Sequence, residues 1–120
     1  MNRSSFKRFG FCVCFCMNRE EFIQRLGDNC DEALKIVQKK NQDYADGEDP
    51  FQNFNMVEDA GLMSTEKGIA VRMSDKMQRV FNLLGDEEAA VDDERLEDTL
   101  LDLMNYSNIL LAKLQEAENQ

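Results

Sequence analysis

The sequence predicts an all-α fold, four-helix bundle-like with one short extra-loop helix, and three observations predict it. Apolar residues recur at three- and four-residue spacing through three long stretches, as in helices with one buried face. No alternating apolar and polar segment runs longer than a few residues, so no sheet is expected. One Pro and six Gly in 120 residues supply too few turns for a many-stranded sandwich or barrel. A chain of this length has room for one core.

The first helix is expected from about Asn18 to Lys40. Asn18 caps it, and Glu21 three residues later completes a capping-box pattern. Phe22, Ile23, Leu26, Cys30, Ala33, Leu34 and Val37 form its apolar stripe. A polar loop from Asn41 to Asp49 follows. Pro50 then suits the first position of a short second helix, with Asp49 as its cap and Gly61 as its stop. The third helix is expected from about Gly68 to Leu84, ended by Gly85. Ile69, Met73, Val80 and Leu84 mark its apolar face, with Ala70, Met77 and Phe81 alongside. The fourth begins near Asp92 or Asp93 and runs to about Glu116. Its core stripe is Leu96, Leu100, Leu103, Leu110, Leu111 and Leu114.

Composition narrows the chemistry. There are 24 acidic and 14 basic residues, no His, and a net charge of −10. Phosphates would be repelled, which argues against a protein held on DNA or RNA. Without His, no Ser-His-Asp triad, Cys-His dyad or His-ligated zinc can form. Residues 1–16 carry Arg3, Lys7 and Arg8 and no acid, and they hold Cys12, Cys14 and Cys16. The apolar run from Phe9 to Met17 is too short to span a bilayer, and no small-residue cleavage site follows. The opening Met1-Asn2-Arg3 is echoed at Met17-Asn18-Arg19. We therefore expect Met17 to be the working start, 1–16 a flexible thiol-bearing extension and 17–120 a single helical domain. The thiols read as reduced, and the expected location is cytoplasmic.

The fourth helix carries the most informative pattern. Glu94, Asp98 and Asp102 stand at i, i+4, i+8, so adjacent carboxylates come within about 6 Å and repel unless a cation faces them. Mg²⁺ is a hard cation suited to carboxylate oxygens. The alternative is a solvated helix face, but the stripe continues through Asn105 to Ile109 and Ala112, which points to a covered seam. On the third helix Arg72, Asp75 and Arg79 share a face, with Lys76 at its edge. Arg offers a fork for phosphate oxygens and Lys a point charge, although an Asp between two Arg also suits a structural ion pair. Carboxylates for a metal beside cations for phosphates fit a metal–nucleoside polyphosphate. In the loop, Tyr44, Phe51 and Phe54 are candidates to stack on a base, with packing the commoner role for the two Phe. Glu58 and Asp59 are weaker carboxylate candidates.

Four blocks in order resemble the phage-type nucleotide modification associated domain, placed near the all-alpha NTP pyrophosphatases (MazG-like and dimeric dUTPase-like proteins). They are Lys40-Asn41-Gln42-Asp43-Tyr44, Asp49-Pro50-Phe51-Gln52-Asn53-Phe54, Arg72 through Arg79, and Glu94 through Tyr106. The resemblance spans roughly Phe22 to Leu114. It implies facing helices that hold Mg²⁺ for attack of water on a phosphate chain, and a dimer or larger homo-oligomer. Glu94 and Asp98 match the family's second acidic pair. Of the first pair only Asp75 remains, with Arg79 in the other place, and Ala45 replaces a Gly usual after Asp-Tyr.

The expected function is therefore a Mg²⁺-dependent nucleotide-binding protein that hydrolyses a nucleoside triphosphate to monophosphate and pyrophosphate. Asp75, Glu94 and Asp98 hold the metal, and Asp102 assists or activates water. Arg72, Lys76 and Arg79 bind phosphates, while Asn105, Asp43 and Tyr44 line the base or sugar side. Two alternatives stand beside it: a non-catalytic nucleotide-binding or sequestering module, and a phage accessory or inhibitor protein that acts through protein partners.

Overall fold

The computed structural model of the chain describes residues 16–44, 49–85 and 95–118. Among them the fold is all-α. In order come α1 (Arg19–Tyr44), a 3-10 turn (Gln52–Phe54), the one-turn α2 (Met56–Asp59), α3 (Thr65–Gly85) and α4 (Leu96–Glu118). No described helix is long and apolar enough to cross a membrane. The chain divides into two compact units, Met1–Cys30 and Asp31–Gln120, with the boundary inside α1.

The described part of the first unit is the N-terminal half of α1, and its start follows the capping-box pattern. The Asn18 N–H donates to Glu21 Oε1 at 3.1 Å, and the Glu21 N–H donates to Asn18 Oδ1 at 2.8 Å. Two otherwise orphaned donors are satisfied reciprocally. The expected stripe is not a core here: Phe22, Ile23 and Leu26 are exposed, and of the whole series only Ala33, in the second unit, is buried. The helix also continues four residues past Lys40. Asn41 to Tyr44 contain neither Gly nor Pro, so nothing breaks the ladder there.

In the second unit α3 and α4 are the closely packed pair. The α3 face turned inward is Thr65, Ile69, Val80 and Leu83. Ile69 and Val80 were expected there, whereas Leu84 and Phe81 are exposed and Leu83 takes the buried position. Likewise α4 buries Thr99 and Asn105 most deeply and leaves Leu100, Leu111 and Leu114 exposed. The start expected at Asp92 or Asp93 lies outside the described residues.

The short second helix is a 3-10 turn followed by one α-turn. Asp49 Oδ1 accepts from the Phe51 N–H at 2.9 Å, an Asx turn in place of a helix cap. Gly61 ends α2 with φ of 78°. The Leu62 N–H reaches back to Val57 O and the Gly61 N–H to Glu58 O, the paired bonds of a Schellman stop.

α3 begins three residues before the expected Gly68 because Ser64 caps it: its Oγ accepts from the Lys67 N–H at 3.1 Å. Glu58 adds a second cap. Its Oε1 accepts from the Thr65 N–H at 2.8 Å and from the Thr65 hydroxyl at 2.9 Å. Asn55 Oδ1 lies 3.0 Å from the same hydroxyl, and the Asn55 amide donates to Asp49 Oδ2 at 2.7 Å. This chain of bonds ties the 49–61 segment to the α3 N-terminus. The bonds from the Thr65 backbone and side chain hold the Glu58 carboxyl below its usual value of 4.5. A lowered carboxyl stabilises the fold above the unfolded-state value and loses that contribution as pH falls through the folded one. Hence the melting temperatures of wild type and Glu58→Gln differ at neutral pH and converge as the pH falls below the usual value and through the lowered one.

Gly68 lies where α2 crosses α3. A Cβ built there meets Val57 Cγ2 at 2.7 Å. Gly68→Ala gains about 1 kcal/mol of helix propensity but forces a stiff β-branched side chain aside at about 1–3 kcal/mol. A net loss near 1 kcal/mol is expected in urea unfolding. Adding Val57→Ala removes the clash, so the two substitutions together cost less than their sum.

Candidate functional site

An open groove of about 1150 Å³ lies within the second unit. Its walls are the C-terminal part of α1 (Val37, Lys40, Asn41), the segment from Pro50 to Met56, Arg72 of α3, and the α4 face from Asp102 to Ala112. The volume is slightly above the roughly 300–1,000 Å³ of most small-molecule sites. Of the stripe expected on α4, Asp102, Asn105, Ile109 and Ala112 line this open groove, and Asp98 does not.

Asp102 is the pivot. Its Oδ2 lies 3.0 Å from Lys76 Nζ and its Oδ1 lies 3.4 Å from Lys40 Nζ. Lys76 and Asp102 expose only 19% and 17% of their side chains, against 55% for Lys40. The positive charge that the stripe demanded is therefore supplied, at this carboxylate, by the chain's own lysines.

Next along the groove are aromatic rings. Phe54 stands edge-on to Tyr106, with centroids 6.2 Å apart and planes at 90°. The Arg72 guanidinium carbon sits 5.0 Å from the Phe54 centroid, a cation–π contact that aims a third cation at the groove. Phe51 is buried, with the Lys113 ammonium 4.9 Å from its centroid. Lys113 also bonds Glu116 Oε1 at 2.9 Å, and that bond raises its pKa above 10.5, so it is charged at any physiological pH. The neutral polar groups of the lining include four carboxamides, Gln38, Asn41, Asn53 and Asn105.

The expected site residues divide accordingly. Asp102, Arg72 and Asn105 line the groove, while Lys76 is not in its lining and meets it through Asp102. Asp75, Arg79 and Asp98 are exposed and do not line it, and Asp98 is 3.9 Å from Arg95 Nε. Glu94 lies outside the described residues. Asp43 and Tyr44 end α1 instead of standing in a loop, and their side chains are outside the described ones. Glu58, considered as a further ligand, serves the α3 cap. Among the described residues no group of three or more acidic or thiol side chains is placed to hold a metal ion. Lys40 was missed as a site residue because its partner is 62 positions away, and no local spacing encodes that pairing.

No family model, curated protein or solved structure matches the chain.

Proposed function

We propose that the groove binds a nucleotide, with a nucleoside triphosphate as the expected ligand. The observation that carries this is a groove lined by Lys40 and Arg72, with Lys40 and Lys76 both paired to Asp102, in a strongly acidic chain. Lysine and arginine side chains in a cleft concentrate anions there, and phosphate oxygens are their natural partners. Carboxamides and the Tyr106 ring beside the cations suit a heterocycle attached to the phosphates.

The hydrolytic reading places Mg²⁺ on Asp75, Glu94 and Asp98, with Asp102 at the reacting water. The described residues do not by themselves fit a resident Mg²⁺. Both oxygens of Asp102 already face ammonium groups, Asp75 and Asp98 are exposed, and Glu94 is the remaining member of the set. The pairing of Asp102 favours the binding reading over the hydrolytic one. Self-association belongs to the same proposal. Phe81, Leu84 and Leu111 are each more than half exposed, and a second copy is the cover we assign to them. Sedimentation should then show a dimer or larger species.

Thermal unfolding with each ribo- and deoxyribonucleoside triphosphate, with and without Mg²⁺, tests the function. At 100 times its dissociation constant a ligand adds about 2.7 kcal/mol. Stabilisation without release of pyrophosphate is the expected result. Release in the presence of Mg²⁺ would make the protein a pyrophosphohydrolase. No shift with any nucleotide would overturn both readings.

A further inference from the structure

We propose that Asn105 determines specificity in the groove, reading the hydrogen-bonding edge of a nucleobase with its side-chain amide; this rests on the nucleotide reading above. Three observations meet at this residue. Asn105 exposes only 8% of its surface, in the middle of α4. It lines the groove. Its amide makes no hydrogen bond to any described residue, yet among the described residues no fully sealed side-chain nitrogen or oxygen lacks a partner. The amide therefore keeps its residual access, and that access is to the groove.

Such a group is costly where it stands. Asn is a poor residue for a helix interior, and a buried amide without a partner loses hydration that nothing returns. An apolar side chain would serve packing better, so the amide needs a partner that comes from outside. Its chemistry selects that partner. A carboxamide presents one acceptor and two donors in a plane. A phosphate, which offers only acceptors, is better served by the lysines at Asp102. A base edge with a donor beside an acceptor uses both ends of the amide. Asn105 is one helical turn beyond Asp102, and Tyr106 lines the same groove, so the base lies at Asn105 and Tyr106 with its phosphates directed to Lys40 beside Asp102.

Calorimetric titration of the full chain with the four deoxyribonucleoside triphosphates, their ribose counterparts and inorganic tripolyphosphate tests this. Wild type should prefer one base by about tenfold over the others. Asn105→Ala should abolish that ranking and leave tripolyphosphate affinity unchanged. Asn105→Asp, of the same size, should move the ranking toward guanine, whose N1–H and exocyclic amine both donate to a carboxylate. Equal affinities for all bases in wild type, or a ranking that survives Asn105→Ala, would overturn the assignment while leaving the groove as the nucleotide site. Failure of tripolyphosphate and of every nucleotide to bind would instead remove the nucleotide reading, and Asn105 with it. Circular dichroism reports whether each variant is folded. Should Asn105→Ala unfold, the wild-type ranking and the isosteric Asp variant decide.

Discussion

Asp102→Ala lowers the unfolding free energy by about 2 kcal/mol, measured by urea denaturation. The carboxylate is shared by Lys76 and Lys40, and Lys76 is four-fifths buried. Removing it takes a partner from a largely buried ammonium and leaves two like charges side by side, which costs more than the net worth of either pair. Asp98→Ala is the internal comparison. Its side chain is 56% exposed and 3.9 Å from Arg95, so the change stays within about 0.5 kcal/mol. Equal stability of Asp102→Ala and wild type would show that the lysines are indifferent to this carboxylate. The variant should still bind tripolyphosphate, and no more weakly, because Asp102 competes with phosphate for the same cations. A metal-binding or water-activating Asp102 predicts the opposite.

Lys76→Met has the largest expected effect on binding. Met keeps most of the apolar stem of this largely buried side chain but removes the charge. A charge-assisted bond from a partly buried ammonium to a phosphate contributes about 1.5–3 kcal/mol, so triphosphate affinity should fall by roughly 10- to 100-fold. The dependence of binding on salt should become shallower, since one fewer cation meets the ligand. Lys40→Met should cost less, because its ammonium is more exposed and further from Asp102. An unchanged affinity in both variants would place the ligand elsewhere.

Local signals in the sequence were readable where the physics is local. Asn18 with Glu21, and Gly61 as a stop, act through bonds a few residues long, and the structure forms them. The Ser64 cap of α3 was equally local, yet the apolar stripe drew attention to Gly68, which is a point of close approach to Val57. The i, i+4, i+8 spacing from Glu94 to Asp102 called for a cation, and in the structure Lys76 and Lys40 face Asp102 while Asp98 is exposed. The spacing carried no information on which cation. Lys40 and Lys76 are set by the register of α1 and α3 against α4, and register is decided by packing between distant segments.

The leucine stripes misled for a related reason. Periodicity identifies an apolar face but not what covers it. On α4 the chain turns Thr99 and Asn105 inward and leaves Leu111 and Leu114 open, so two polar residues are buried where the stripe predicted leucines. Asp43, Tyr44 and Glu94 fall where no side chain is described, and their roles rest on the sequence pattern alone.

Backbone amide shifts of the full chain during titration with each deoxyribonucleoside triphosphate test the central claim most directly. Saturable changes should appear at residues 37–41, 50–56 and 102–109, together with Arg72 and Lys76, and should collapse at high salt. Changes confined to other segments, or none with any of the nucleotides, would contradict a nucleotide site in this groove.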